Sequence, residues 1–189
     1  GLPSMIDMAG IDVGYHARQS NRAALYGRDP TYAAVYDRLF ELGRFGQKSG
    51  RGFYLYQGRD KKEDPEIITL AKELADNFGI AQRQVSDQEI LERTLFVLIK
   101  EGARVLEEGI ALRSGDIDVV YCLGYGFPAF RGGPMQYADE IGLDVVLDAL
   151  NHYRNILGSH GETWFEPAPL LKQLAASNRK FRDYQSQPI

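Results

Sequence analysis

The sequence predicts a mainly α protein made of two tandem helical units, with one short strand near residues 53–56. Three observations carry this reading: apolar residues at helical spacing through most of the chain, one strong helix start at Ser86, and a short motif that occurs twice. The motif is Asp7-Met8-Ala9-Gly10-Ile11-Asp12-Val13, matched by Asp139-Glu140-Ile141-Gly142-Leu143-Asp144-Val145 as Asp-x-x-Gly-(Ile or Leu)-Asp-Val. Each copy follows a proline, Pro3 or Pro134. Physically it supplies a turn or cap carboxylate, a glycine where the backbone needs freedom, and an aspartate that begins a helix.

In chain order, Asp29-Pro30 opens a helical stretch carrying Tyr32, Val35, Tyr36, Leu39 and Phe40, and Gly43 stops it. Residues 44–52 are a glycine-punctuated basic loop, and Phe53-Tyr54-Leu55-Tyr56 is too short and aromatic for a helix, so a loop leading into a strand is expected. Gly58 to Asp64 reads as an exposed charged linker, followed by a modest helix over residues 65–78. Ser86-Asp87-Gln88-Glu89 is a capping box, in which Ser86 accepts an amide proton and Glu89 reaches back. From it runs the main helix, with Leu91, Leu95, Leu98, Gly102, Val105 and Leu106 expected on the buried face and Gly102 allowing a close helix approach.

Ser114 to Asp118 looks like another helix cap, and Gly124 to Pro128 is a turn where helix cannot continue. Helices resume near Asp139, with Ile141, Val145, Val146, Leu147 and Leu150, and Pro167-Ala168-Pro169 introduces a last one with Leu170, Leu171 and Leu174. The expected division is residues 1–60 as a first helical domain, 61–86 as linker and helix, and 87–189 as a second domain.

The 189 residues are 44% hydrophobic and 25% charged, which is the composition of a globular protein. A net charge of -4 provides no general attraction to nucleic acid or anionic lipid, and no apolar run is long enough to suggest a membrane span. The single cysteine, Cys122, excludes an internal disulfide framework and is expected to be a buried structural thiol. Gln187-Pro188-Ile189 is not a peroxisomal address of the Ser-Lys-Leu kind, so a cytoplasmic location is expected. No cluster of metal-ligating residues stands out.

Three segments together resemble one family. They are Gly43-Arg44-Phe45-Gly46-Gln47-Lys48-Ser49-Gly50-Arg51-Gly52-Phe53-Tyr54, Glu101 to Gly109, and Gly124-Tyr125-Gly126-Phe127-Pro128 through Arg131-Gly132-Gly133-Pro134. In this order they look like the paired C-terminal helical domains of 3-hydroxyacyl-CoA dehydrogenases, closest to the multifunctional fatty-acid β-oxidation enzymes. The resemblance implies two tandem copies of the helical domain, the first truncated, beside an NAD-binding Rossmann part and an enoyl-CoA hydratase part. It implies an acyl-CoA substrate, NAD as cofactor of the full enzyme, a homo-oligomer, and a thiolase as a possible partner.

The same resemblance defines what is missing. The Gly-x-Gly-x-x-Gly that meets a dinucleotide pyrophosphate does not occur here, and the family's catalytic His and orienting Glu lie on the Rossmann part. His16, His152 and His160 stand in other contexts and read as surface or locally satisfied histidines. The family's carbonyl-polarising Asn belongs to the long helix of the first copy, after which this chain begins. In the second copy Glu92 takes the equivalent place, where a carboxylate cannot donate that hydrogen bond. No catalytic or cofactor-binding residue is therefore assigned.

Arg44, Lys48 and Arg51 are the candidate substrate-binding residues, since their loop could meet CoA phosphates; the plainer alternative is a tight turn with solvated charges. Phe127, Phe130 and Arg131 could line an acyl channel or pack one copy on the other. The expected function is closure of the dehydrogenase cleft by a chain inactive alone. The rival is an interaction module that docks a thiolase or self-associates through the apolar face a truncated repeat would leave.

Overall fold

The computed structural model describes residues 2–58 and 60–186; the terminal Gln187-Pro188-Ile189 lies outside them. The chain divides into two compact units, 1–84 and 85–189. The first contains α1 (Leu2–Ala9), α2 (Ile11–Gln19), α3 (Arg22–Arg28), α4 (Ala34–Glu41), β1 (Tyr54–Gln57), β2 (Asp60–Glu63) and α5 (Pro65–Asn77). Gly10, with φ of 104°, makes the sharp break between α1 and α2 that the repeated motif calls for.

Two local expectations are corrected here. The stretch from Asp29 starts as a turn, because the Asp29 carboxylate takes the amide (2.9 Å) and the hydroxyl of Thr31, and regular helix begins only at Ala34. The charged run expected as a linker is a strand: β2 pairs antiparallel with β1, Tyr54 opposite Glu63 and Gln57 opposite Asp60. All four β2 residues are exposed, so the strand exists through its backbone ladder and leaves no alternation in the sequence. The expected helix beyond it is α5, begun by Asp64, which accepts from the Glu66 amide at 3.0 Å, with Pro65 in the first turn.

The second unit contains α6 (Asp87–Glu107), α7 (Ser114–Gly124), α8 (Pro134–Ile141), α9 (Leu143–Ile156), α10 (Gly158–Trp164) and α11 (Pro169–Ala176). Ser86 caps α6 as expected, accepting from the Glu89 amide at 3.1 Å. The buried stripe of α6 includes Gly102 and Leu106 as expected, but its other members, Phe96, Ile99 and Ala103, lie one position round from the expected leucines, and Leu91 stands 46% exposed. The stripe packs on Met135, Ala138, Leu143, Val146 and Leu150 of α8 and α9 and on Leu170, Leu171 and Leu174 of α11. Each such side chain contributes about 1.5–3 kcal/mol on burial.

Gly102 does permit close approach, since a Cβ there would lie 2.5 Å from the Met135 sulfur. Helix α8 begins at Pro134 rather than near Asp139, because Asp118 of α7 accepts from the amides of Met135 (2.7 Å) and Gln136 (3.1 Å) and so caps it from a distance. Ser114 is the first residue of α7 and buried, not its cap; the Arg113 amide donates instead to Asp116 at 3.1 Å.

Candidate functional site

The glycine loop of the first unit is folded around an internal carboxylate. Asp7 of α1 is 1% exposed and accepts from the amides of Phe53 (2.9 Å) and Tyr54 (3.0 Å) and from the Tyr56 hydroxyl (2.9 Å). Gly46 and Gly52 lie so close to Asp7 that a side chain at either would collide with it. Burial first, then the bond to Asp7, pushes the Tyr56 hydroxyl up to about 12.

The three candidate cations of this loop do not converge. Arg44 is 3% exposed; its Nε and Nη2 donate to the Gly52 carbonyl at 2.9 and 2.7 Å, Nη1 to Glu66 at 3.1 Å, and Nη2 also pairs with Asp64. It is thus an internal clamp joining loop, hairpin end and α5, which corrects its assignment as a ligand-facing charge. Burial resists ionisation of Asp64, but the Arg44 guanidinium and the Glu66 amide outweigh it and hold the carboxyl below its ordinary value. Lys48 is half exposed and pairs with Asp12 of α2 at 2.6 Å. Arg51 is exposed, with a long 3.4 Å bond to the Leu42 carbonyl.

The second unit repeats the device. Asp139, aligned with Asp7 by the motif, is 5% exposed and accepts from the consecutive amides of Phe181 (2.7 Å) and Arg182 (3.1 Å). In both copies a helix-borne aspartate therefore latches a distant segment through two adjacent amides beginning at a phenylalanine. Sequence reading gave these aspartates a local turn role and missed the latch; the signal that could have found it was the aspartate's recurrence before a backbone-breaking glycine.

Glu92 of α6 accepts from the Tyr153 hydroxyl at 2.5 Å and from the Gln88 amide nitrogen at 2.6 Å. Burial and the bond to Glu92 push the Tyr153 hydroxyl up to about 12. His16 and His152 are exposed; His160 is half-buried, its ring 6.1 Å from that of Phe165. Cys122, expected to be buried, is only half-buried. Phe130 is 83% exposed, and Arg131 lies 5.4 Å from the rings of both Phe130 and Tyr137, so contacts within this unit neither enclose a channel at Phe130 nor pack it. Sequence reading also missed Lys100, buried in α6, whose ammonium donates to the Trp164 carbonyl at 2.8 Å.

NAD does not fit the glycine loop. Pyrophosphate binding needs free amides at a helix N-terminus, whereas the Phe53 and Tyr54 amides already serve Asp7.

Comparison with known proteins agrees with both units. Residues 1–56 and 90–187 match the model of the family described as 3-hydroxyacyl-CoA dehydrogenase, C-terminal domain. The peroxisomal bifunctional enzyme of Danio rerio is 42% identical over 93% of this chain, which covers 26% of that protein. The fatty acid oxidation complex subunit alpha of Pseudomonas syringae is 34% identical over 96% of this chain and 25% of that protein. The chain thus spans about a quarter of the length of these curated relatives. The crystal structure of the dehydrogenase part of multifunctional enzyme 1 from C. elegans superposes with a TM-score of 0.65 at 26% identity, covering 90% of this chain and 37% of that one. Matched in sequence across both units and in fold over nine-tenths of its length, this chain belongs to the family of 3-hydroxyacyl-CoA dehydrogenase C-terminal domains.

Proposed function

We propose that the whole protein oxidises L-3-hydroxyacyl-CoA to 3-ketoacyl-CoA with NAD, that a further part of it hydrates enoyl-CoA, and that this chain is the helical wall of the dehydrogenase cleft. The observation that carries the reading is the family match across both units, joined to an interior in which buried carboxylates act as fold latches. In this role the chain supplies apolar surface and excludes water beside the hydride path, while the NAD site and the catalytic acid–base pair lie on other parts of the protein. The chain alone is inactive. Turnover of acetoacetyl-CoA with NADH by the separate 189 residues, at a rate near that of the whole protein, would overturn this.

For substrate contact we retain Lys48 and Arg51, whose exposed side chains suit CoA phosphates, and set aside Arg44. Replacing both by Met should raise KM for CoA thioesters and leave KM for a short thioester without the nucleotide unchanged; equal effects on the two substrates would count against the assignment.

One observation favours a second role in assembly. Leu123, Tyr125 and Phe130, close together in the chain, are 85, 75 and 83% exposed, and a face of such apolar side chains would recruit a partner or a second copy. Self-association or thiolase docking through this face should disappear in Leu123→Lys/Phe130→Lys, measured by sedimentation. A cytoplasmic location is tested by cell fractionation, and recovery in an organelle would refute it. Among the described residues no helix is long and apolar enough to cross a membrane.

A further inference from the structure

Helix α6 starts at its Ser86 cap well ahead of the core it serves. Its fully buried stripe begins only at Phe96, and Ile90 in the first turns is 52% exposed although apolar. The flank of these turns carries a pocket of about 260 Å³ within the second unit, lined by Val85, Ile90, Arg93, Thr94, His160 and Phe165. Phe165, 3% exposed, is its most deeply buried wall, while Val85 and Ile90 stand nearer the rim. Its size places it at the small end of ligand pockets.

The charges of this lining are one-sided. Arg93 and His160 are its ionisable side chains, and no carboxylate belongs to it among the described residues. The Arg93 side chain is 29% exposed, and its Nη1 donates to Glu89, one turn earlier, at a long 3.3 Å. A guanidinium carries five donors, and the others of Arg93 have no bond among the described residues. Glu92 does not make up the deficit, because it serves the Tyr153 hydroxyl and the Gln88 amide. The Thr94 hydroxyl donates to the Ile90 carbonyl at 2.8 Å and is engaged within the helix. The pocket therefore has one cationic end, at an under-matched arginine, and one apolar end.

We propose that this pocket binds a short-chain carboxylate, with the carboxylate on the Arg93 guanidinium and the hydrocarbon chain against Val85, Ile90 and Phe165. The planar guanidinium can give a carboxylate two parallel hydrogen bonds, which its single long contact with Glu89 leaves available. The apolar wall disfavours a ligand charged at both ends, and a lining without a carboxylate gives a cationic ligand no partner. The site lies wholly in the second unit and holds whether or not the whole protein is a dehydrogenase.

The test uses the whole protein with its isoleucine methyl groups labelled for NMR, the Ile90 methyl signal being the one that Ile90→Val removes. Hexanoate should shift this signal saturably, whereas hexylamine at the same concentrations should leave it in place. Arg93→Met should raise the hexanoate Kd read from the shift about tenfold, the loss expected for a charge-assisted hydrogen-bond pair. Arg93→Lys keeps the charge without the fork and should fall between the two. A shift that does not saturate, an equal response to hexylamine, or an unchanged Kd in Arg93→Met overturns the proposal. If Arg93→Met does not fold, hexanoate against hexylamine on the unaltered protein decides alone. Because the Ile90 methyl lies on the pocket itself, hexanoate bound elsewhere on the protein does not count as support.

Discussion

Arg44 shows how far a side chain's role depends on its surroundings. On a loop rich in Gly, Lys and Arg it looks like one of several surface cations, yet it is 3% exposed and bonded to Gly52, Asp64 and Glu66. Arg44→Met leaves the buried Asp64 carboxylate without its partner and should lower stability by about 3–5 kcal/mol. Urea denaturation followed by circular dichroism measures this, and a loss below 1 kcal/mol would refute the clamp. Because the folded Asp64 titrates below its unfolded value, the stability it contributes is present above the ordinary aspartate range and is lost as pH falls through the lowered folded value. The two tyrosines bonded to carboxylates act at the other end of the scale. Tyr56 and Tyr153 are raised to about 12, so the stability linked to them is complete below the ordinary value of 10 and declines as pH rises toward 12. Ultraviolet titration should find Tyr56 and Tyr153 among the late-ionising tyrosines, with Tyr26 and Tyr121 also raised, and Tyr153→Phe should remove one of them.

At the scale of elements, periodicity located most helices but not the rotation of their buried stripes. In α6 the leucines suggested one face, whereas Phe96, Ile99 and Ala103 bury, because α8 and α9 meet the helix on that side. The Gly102 signal was legible because a missing side chain matters only where another element comes close. Gly102→Leu must displace Met135 and should cost about 1–3 kcal/mol of second-unit stability by overpacking. An unchanged thermal midpoint would show that α6 and α8 are more loosely packed than described. Strand β2 was not legible, since Asp60 to Glu63 bury nothing and their only structural signal is backbone pairing with β1. The start of α8 was misread for a related reason: its cap, Asp118, is remote in sequence from the amides it serves.

For the whole molecule, the division into two units has a direct consequence. Residues 80–86 form an exposed segment without helix or strand, and Arg83 lies within it. Limited trypsin digestion should therefore cut first after Arg83 and release two pieces that each keep helical circular dichroism, whereas initial cutting inside α6 or α9 would contradict the division. The sequence by itself determined the family, the mainly α character, the position of the strand after the glycine loop, and the duplication, because these rest on periodicity and short motifs that act over a few residues. Only the tertiary structure decided that Asp7 and Asp139 latch distant amides, that Arg44 points inward while Lys48 and Arg51 stay outside, and that Arg93 and Phe165 line one open pocket. The physical reason is that the energy of a buried charge or an open face is set by neighbours brought in from far along the chain, and no local pattern in the residues records which neighbours arrive.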